Sequence, residues 1–146
     1  MNDFTESRTL ENLVDLFARE AQTLVRYWRF ASTARHEGFP TAATLFDRLA
    51  QNQVTLVEGH LDFLRNIGDP LSGKPLGPTQ DNLQAALAAE TESATALYPS
   101  VARVAATEGF ASLASWFQTM AVSKNANAER IESALSCTSE NPEVRG

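Results

Sequence analysis

Apolar residues recur every three to four positions through four long stretches of the chain, with polar residues on the intervening positions, the period of an amphipathic helix. Clusters of Gly and Pro separate the stretches. The first predicted helix runs from about Thr9, a candidate N-cap, to Glu37, and Gly38 supplies the left-handed turn that closes it. The second starts near Pro40 and Thr41 and ends near Ile67. The third runs from about Gln80 to Glu108 with Pro99 inside it, and the fourth from about Phe110 to Cys137. Between the second and third lies GDPLSGKPLGPT, Gly68 to Thr79, a loop long enough to cross from one end of a helix bundle to the other. The expected fold is therefore an all-α four-helix bundle over residues 1–137, followed by a polar, disordered tail at 138–146.

The two halves of the sequence repeat. NLVDLFARE, ending at Glu20, aligns with NLQAALAAE, ending at Glu90, at an offset of seventy, while the Glu-Gly-Phe triplets at Glu37 and Glu108 align at seventy-one. The third helix thus carries one extra residue, which helices commonly absorb as a π-bulge; Pro99, unable to donate to the carbonyl of Thr95, makes an irregularity nearby plausible. The pattern is one of two pseudo-symmetric helix hairpins.

Each predicted helix carries polar groups within its apolar stripe. The first aligns Leu13, Phe17, Glu20, Leu24 and Tyr27; the third aligns Leu83, Leu87, Glu90, Ala94 and Leu97. The second aligns Phe46, Leu49, Gln53, Leu56, His60 and Phe63, and the fourth Phe117, Met120, Lys124, Asn127 and Ile131. By the repeat, Gln53 corresponds to Lys124 and Leu56 to Asn127. Two carboxylates and an ammonium at one level of a bundle are expected to compensate one another, because a buried ion without a partner costs several kcal/mol.

Composition narrows the function classes. The 146 residues carry a net charge of -6 with no basic stripe, which argues against nucleic acid or an anionic membrane as partner. No apolar run approaches the ~20 residues that span a bilayer, and MNDFTESRTL lacks the features of a signal peptide, so the expectation is a cytoplasmic protein. Cys137 is the only cysteine, which excludes an intrachain disulfide and a Cys-x-x-Cys metal or redox pair; it reads as an incidental thiol.

The segments FAREAQ at Phe17, HEGFP at His36, GHLDFLRNIGDP at Gly59, DNLQAALAAET at Asp81 and TEGFASLASWF at Thr107 together resemble the rubrerythrin branch of the ferritin-like superfamily, from about Leu10 to Leu135. The resemblance implies a ferritin-like bundle and a di-iron centre built from carboxylates on two helices and a Glu-x-x-His pair on each of the others. Carried over by position, the carboxylates are Glu20 and Glu90. The Glu-x-x-His pairs fall on Gln53 and Leu56 and on Lys124 and Asn127, and a further family carboxylate falls on Ser93. Glu58 and His60 do not restore the lost pair, because His60 lies about 6 Å along the helix from Leu56 and Glu58 points to another face. His60 reads as a hydrogen-bonded core or dimer-interface residue. The family also implies a rubredoxin-like domain that supplies electrons, and the expectation here is a member without one.

Two functional readings follow. In the first, no cofactor or metal is expected, Lys124 replaces iron between Glu20 and Glu90, and the protein is a non-enzymatic structural or interaction subunit. The one excess negative charge is then met either by a shared proton or by hydrogen bonds from Tyr27, Tyr98, Gln53 or Asn127. In the alternative, Glu20 and Glu90 hold iron or another divalent metal in a residual metal-binding or peroxide- or iron-linked oxidoreductase site, or Lys124 with a shifted pKa carries organic chemistry. A homodimer is expected, with Trp28 and Trp116 as core or interface residues, and an unidentified protein partner is compatible with the first reading.

Overall fold

Ser7 starts the first long helix, where its extended backbone lets the side-chain hydroxyl accept the N–H of Leu10 at 3.1 Å. Helix α1 therefore covers Arg8–His36, and the expected cap, Thr9, lies inside it. The computed structural model describes residues 3–140, with side chains to residue 138. Past α1 the chain turns through Gly38, whose φ of 82° suits a residue without a Cβ, and the N–H of Phe39 returns to the carbonyl of Ala34 at 2.8 Å. Helix α2 follows at once, Pro40–Leu64, with proline at its first position where no N–H is missed. It stops short of Ile67, whose N–H closes a last turn onto the carbonyl of Leu64.

The connection from residue 65 to 78 is organised by two side chains. Asp69 accepts from the N–H of Ser72 at 3.1 Å and from its hydroxyl, while its own N–H donates to the carbonyl of Lys74. Asn82 reaches back from the next helix, accepting from the N–H of Gly77 at 2.8 Å and donating to its carbonyl at 3.0 Å.

The third predicted helix is interrupted. It comprises α3, Thr79–Glu92, a π-helical turn at Ser93–Leu97, and α4, Tyr98–Thr107. The N–H of Tyr98 donates to the carbonyl of Ser93, five residues back. The residue that lengthens this half of the repeat is thus taken up within the turn, immediately before Pro99. Gly109, with φ of 87°, and the bond from Phe110 N–H to the Ala105 carbonyl at 2.8 Å then reproduce the turn at Gly38. The last helix, α5, spans Ala111–Glu140. Thr138, placed in the expected tail, continues α5 and contacts Gln80 Oε1 at 3.4 Å; residues 141–146 of that tail lie outside the described residues.

The chain is all-α, with the four long helical segments of a four-helix fold and no strand among the described residues. It divides at Ile67 and Gly68 into two compact units, each a helix hairpin. No helix among the described residues is long and apolar enough to cross a membrane.

Within each hairpin the most deeply buried positions are mostly alanines: Ala31, Ala34, Ala43 and Ala50 in the first, Ala102, Ala105, Ala114 and Ala128 in the second. Ala31, Ala34 and Ala43 match Ala102, Ala105 and Ala114 at the offset of seventy-one, so both halves use one small-residue seam. The larger apolar stripe residues Leu13, Phe17, Leu24, Leu49 and Phe117 are half-buried, whereas Leu56, Phe63 and Leu97 are exposed.

Ala31 has no accessible surface. Ala31→Leu would force the seam apart and should cost about 1–3 kcal/mol. Val25→Leu, at an exposed site on the same helix, should change stability by no more than about 0.5 kcal/mol. Urea unfolding of the two variants separates them; equal midpoints would refute the close seam.

Candidate functional site

The first hairpin places Glu20 of α1 opposite Gln53 of α2. Gln53 is only 5% exposed, and its Nε2 donates to the Glu20 carboxylate oxygen Oε2 and to the Glu20 backbone carbonyl at 3.2 Å. A carboxylate and a carbonyl can only accept, so the amide must turn its NH2 end toward them.

The second hairpin builds the equivalent site differently. Lys124 and Asn127 lie one turn apart on α5 and meet Glu90 of α3. Lys124 Nζ donates to Oε1 of Glu90 at 3.0 Å and Asn127 Nδ2 to Oε2 at 3.1 Å, so each oxygen has its own donor. The pair is partly shielded, with side-chain exposures of 27% for Lys124 and 20% for Glu90. The repeat extends to the flanking rings: Tyr27 meets Phe46 at 6.3 Å between centroids, and Tyr98 meets Phe117 at 6.1 Å.

Of the two carboxylates expected to pair with Lys124, Glu90 does so. The partner that Lys124 takes is Glu90, within its own hairpin, while Glu20 is served by Gln53. Of the four side chains expected as possible hydrogen-bond donors, Gln53 bonds to Glu20 and Asn127 to Glu90, while the rings of Tyr27 and Tyr98 pack against Phe46 and Phe117. Formal charge is consequently uneven, minus one for Glu20 with Gln53 and zero for Glu90 with Lys124 and Asn127.

The remaining sequence candidates have other surroundings. Leu56 is 48% exposed, and its carbonyl lies 2.8 Å from His60 Nδ1, which must carry the proton to hydrogen-bond there. Ser93 is half-buried at the start of the π turn, with its N–H directed to the carbonyls of Ala89 and Glu90. Glu58 and Cys137 are exposed. The alanine seam that brings the facing helices together was missed in the sequence. Its signal is present there, in the three alanine pairs at offset seventy-one.

The chain is 33% identical to Rubrerythrin-1 of Clostridium acetobutylicum, over 97% of this chain and 76% of the relative. It is 33% identical to rubrerythrin of Clostridium perfringens, over 90% of this chain and 71% of that protein. Rubrerythrin of Nitratidesulfovibrio vulgaris is 32% identical, over 90% of this chain and 71% of the relative. No family model matches the chain.

Rubrerythrins are di-iron proteins, and this kinship overturns the expectation that no cofactor belongs to the chain. At the positions that the resemblance assigns to ligands, the Leu56 side chain offers no donor atom and protonated Lys124 has no lone pair. Among the described residues, no three His, Cys, Asp or Glu side chains are grouped to hold a metal ion.

Replacing Gln53 by Leu keeps the volume and removes both bonds to Glu20. The loss should be about 1–2 kcal/mol, since a partly buried carboxylate is left without its protein donor. An unchanged urea midpoint for Gln53→Leu would show that water serves Glu20 equally well.

Proposed function

Because the chain belongs to the rubrerythrin family, we propose that it is a member whose di-iron pocket is degenerate and whose role is that of a structural or interaction subunit rather than an enzyme. The observation that carries this reading is the change of role at the family's ligand positions. Where the resemblance implies metal-binding side chains, Gln53, Lys124 and Asn127 are hydrogen-bond donors to Glu20 and Glu90. A carboxylate with an ammonium on one oxygen and an amide on the other is held in place as an acceptor, and its lone pairs are directed at protein atoms. In this reading the polar groups maintain the pairing of facing helices: Glu20 ties α1 to α2, and Glu90 ties α3 to α5.

The proposed assembly is a homodimer. Trp28 and Trp116 support it, being 54% and 57% exposed in the single chain, because large aromatics are favoured at subunit contacts. A C2 interface uses the same patch on both copies, so one substitution alters it twice.

Degeneracy is tested by restoring the family's ligand types. The variant Gln53→Glu, Leu56→His, Lys124→Glu, Asn127→His should retain severalfold more iron per chain than the unmodified protein when both are purified anaerobically from iron-supplemented cells. Equal iron content, measured by atomic emission, would defeat the reading. For the dimer, sedimentation velocity at micromolar concentration should give a two-chain species that Trp28→Ser with Trp116→Ser shifts toward monomer. A monomer at all concentrations in the unmodified protein counts against the assembly.

A further inference from the structure

We infer that one outward face of α1 is the surface through which two copies of the chain associate, with the two α1 helices antiparallel and Asp15 of each copy paired to Arg29 of the other. The inference rests on the homodimer reading and supplies its face, direction and register. The stripe that α1 turns to α2 carries Glu20, bonded to Gln53, and Tyr27, packed on Phe46. Beside it runs a second stripe, Val14, Ala18, Ala21, Val25, Trp28 and Ser32, whose steps of four and three residues are those of a coiled-coil seam. Its first five members each follow a residue of the series Leu13, Phe17, Glu20, Leu24 and Tyr27, so it lies about 100° round the helix. Val25 is 59% exposed and Trp28 54%, and Ala18 and Ser32 are exposed as well.

Size and charge choose the direction. In an antiparallel pair centred at the level of Thr23, Trp28 of one copy meets Ala18 of the other, Val25 meets Ala21 and Val14 meets Ser32, so each larger side chain falls on a smaller one. A parallel pair would set Trp28 on Trp28 and Ala18 on Ala18. The flank of the seam agrees with the same register. Asp15 and Arg29, one residue after Val14 and Trp28, come side by side across it, and the twofold axis makes that pair occur twice. Both are exposed, and neither has an ion pair among the described residues. Gln22, midway between them on this flank, meets its own copy near the axis. The antiparallel order also sets the positive end of each helix dipole beside the negative end of the other.

Sedimentation velocity of the full-length chain reads the first test. Asp15→Arg and Arg29→Asp should each weaken dimerisation by about tenfold, since each reversal replaces two exposed attractions by two repulsions. The double variant Asp15→Arg, Arg29→Asp carries the same charges exchanged and should regain the affinity of the unmodified protein. Mild oxidation reads the second test, in a Cys137→Ser background that removes the chain's own thiol. There Gln22→Cys should give a disulfide-linked dimer, whereas Ser32→Cys, set about 27 Å from its own copy along the axis, should not. Dimers that resist both reversals, a double variant no tighter than the single ones, or a Gln22→Cys that stays unlinked each overturn the inference while leaving the homodimer standing. Cross-linking through Ser32→Cys overturns the antiparallel order. A monomer in the unmodified protein refutes the homodimer reading itself, and this face with it.

Discussion

Two helices approach closely only where the side chains between them are small, and the alanine seams of the two hairpins impose that condition on everything around them. With Ala31, Ala34, Ala43 and Ala50 between α1 and α2, a Gln53 side chain is long enough to reach both the carboxylate and the backbone of Glu20. With Ala102, Ala105, Ala114 and Ala128 in the second hairpin, the Tyr98 and Phe117 rings meet as Tyr27 and Phe46 do. The polar clusters are consequences of that spacing. A larger residue in the seam would lengthen every cross-helix bond, and hydrogen bonds weaken steeply beyond their narrow distance range.

The family relationship and the local chemistry pull in different directions, and the repeat shows how they coexist. Equivalent halves need not use the same partners at equivalent positions. Here each half has settled its carboxylate separately, one with an amide and one with an amide and an ammonium. A partly buried carboxylate needs a partner, and in each half a donor on the facing helix supplies it.

Much of this was legible in the sequence because it depends on period and repetition. The four helical segments, the turns at Gly38 and Gly109, and the irregularity before Pro99 all follow from spacing along a single chain. The alignment of Glu20 with Glu90 and of Gln53 with Lys124 likewise needs no coordinates. Partner choice was not legible. Lys124 lies on a stripe that could meet either carboxylate, and only the geometry of α3 against α5 assigns it to Glu90. Two nearby hydroxyls competed for the first cap, and Ser7 took it because its backbone is extended while Thr9 is already helical. Nor was the choice among the four candidate donors legible: Gln53 and Asn127 meet the carboxylates because they lie on the facing helices. The expectation of no cofactor failed for a different reason: it was drawn from missing ligands, and kinship is recorded across the whole chain rather than at those positions.

The π turn at Ser93–Leu97 makes the two halves unequal in their tolerance of changes in length. In an ordinary helix, deleting one residue rotates everything beyond it by about 100°, enough to carry a buried face into solvent. Between Glu90 and Tyr98 the chain already holds one residue more than between Glu20 and Tyr27, so a single deletion there leaves the count found in the first hairpin. The site and the seam would keep their mutual phase. The same deletion in α1 would set Glu20 and Ala31 on different sides of the helix, which makes the π turn the place where this repeat can lose a codon without losing its alignment.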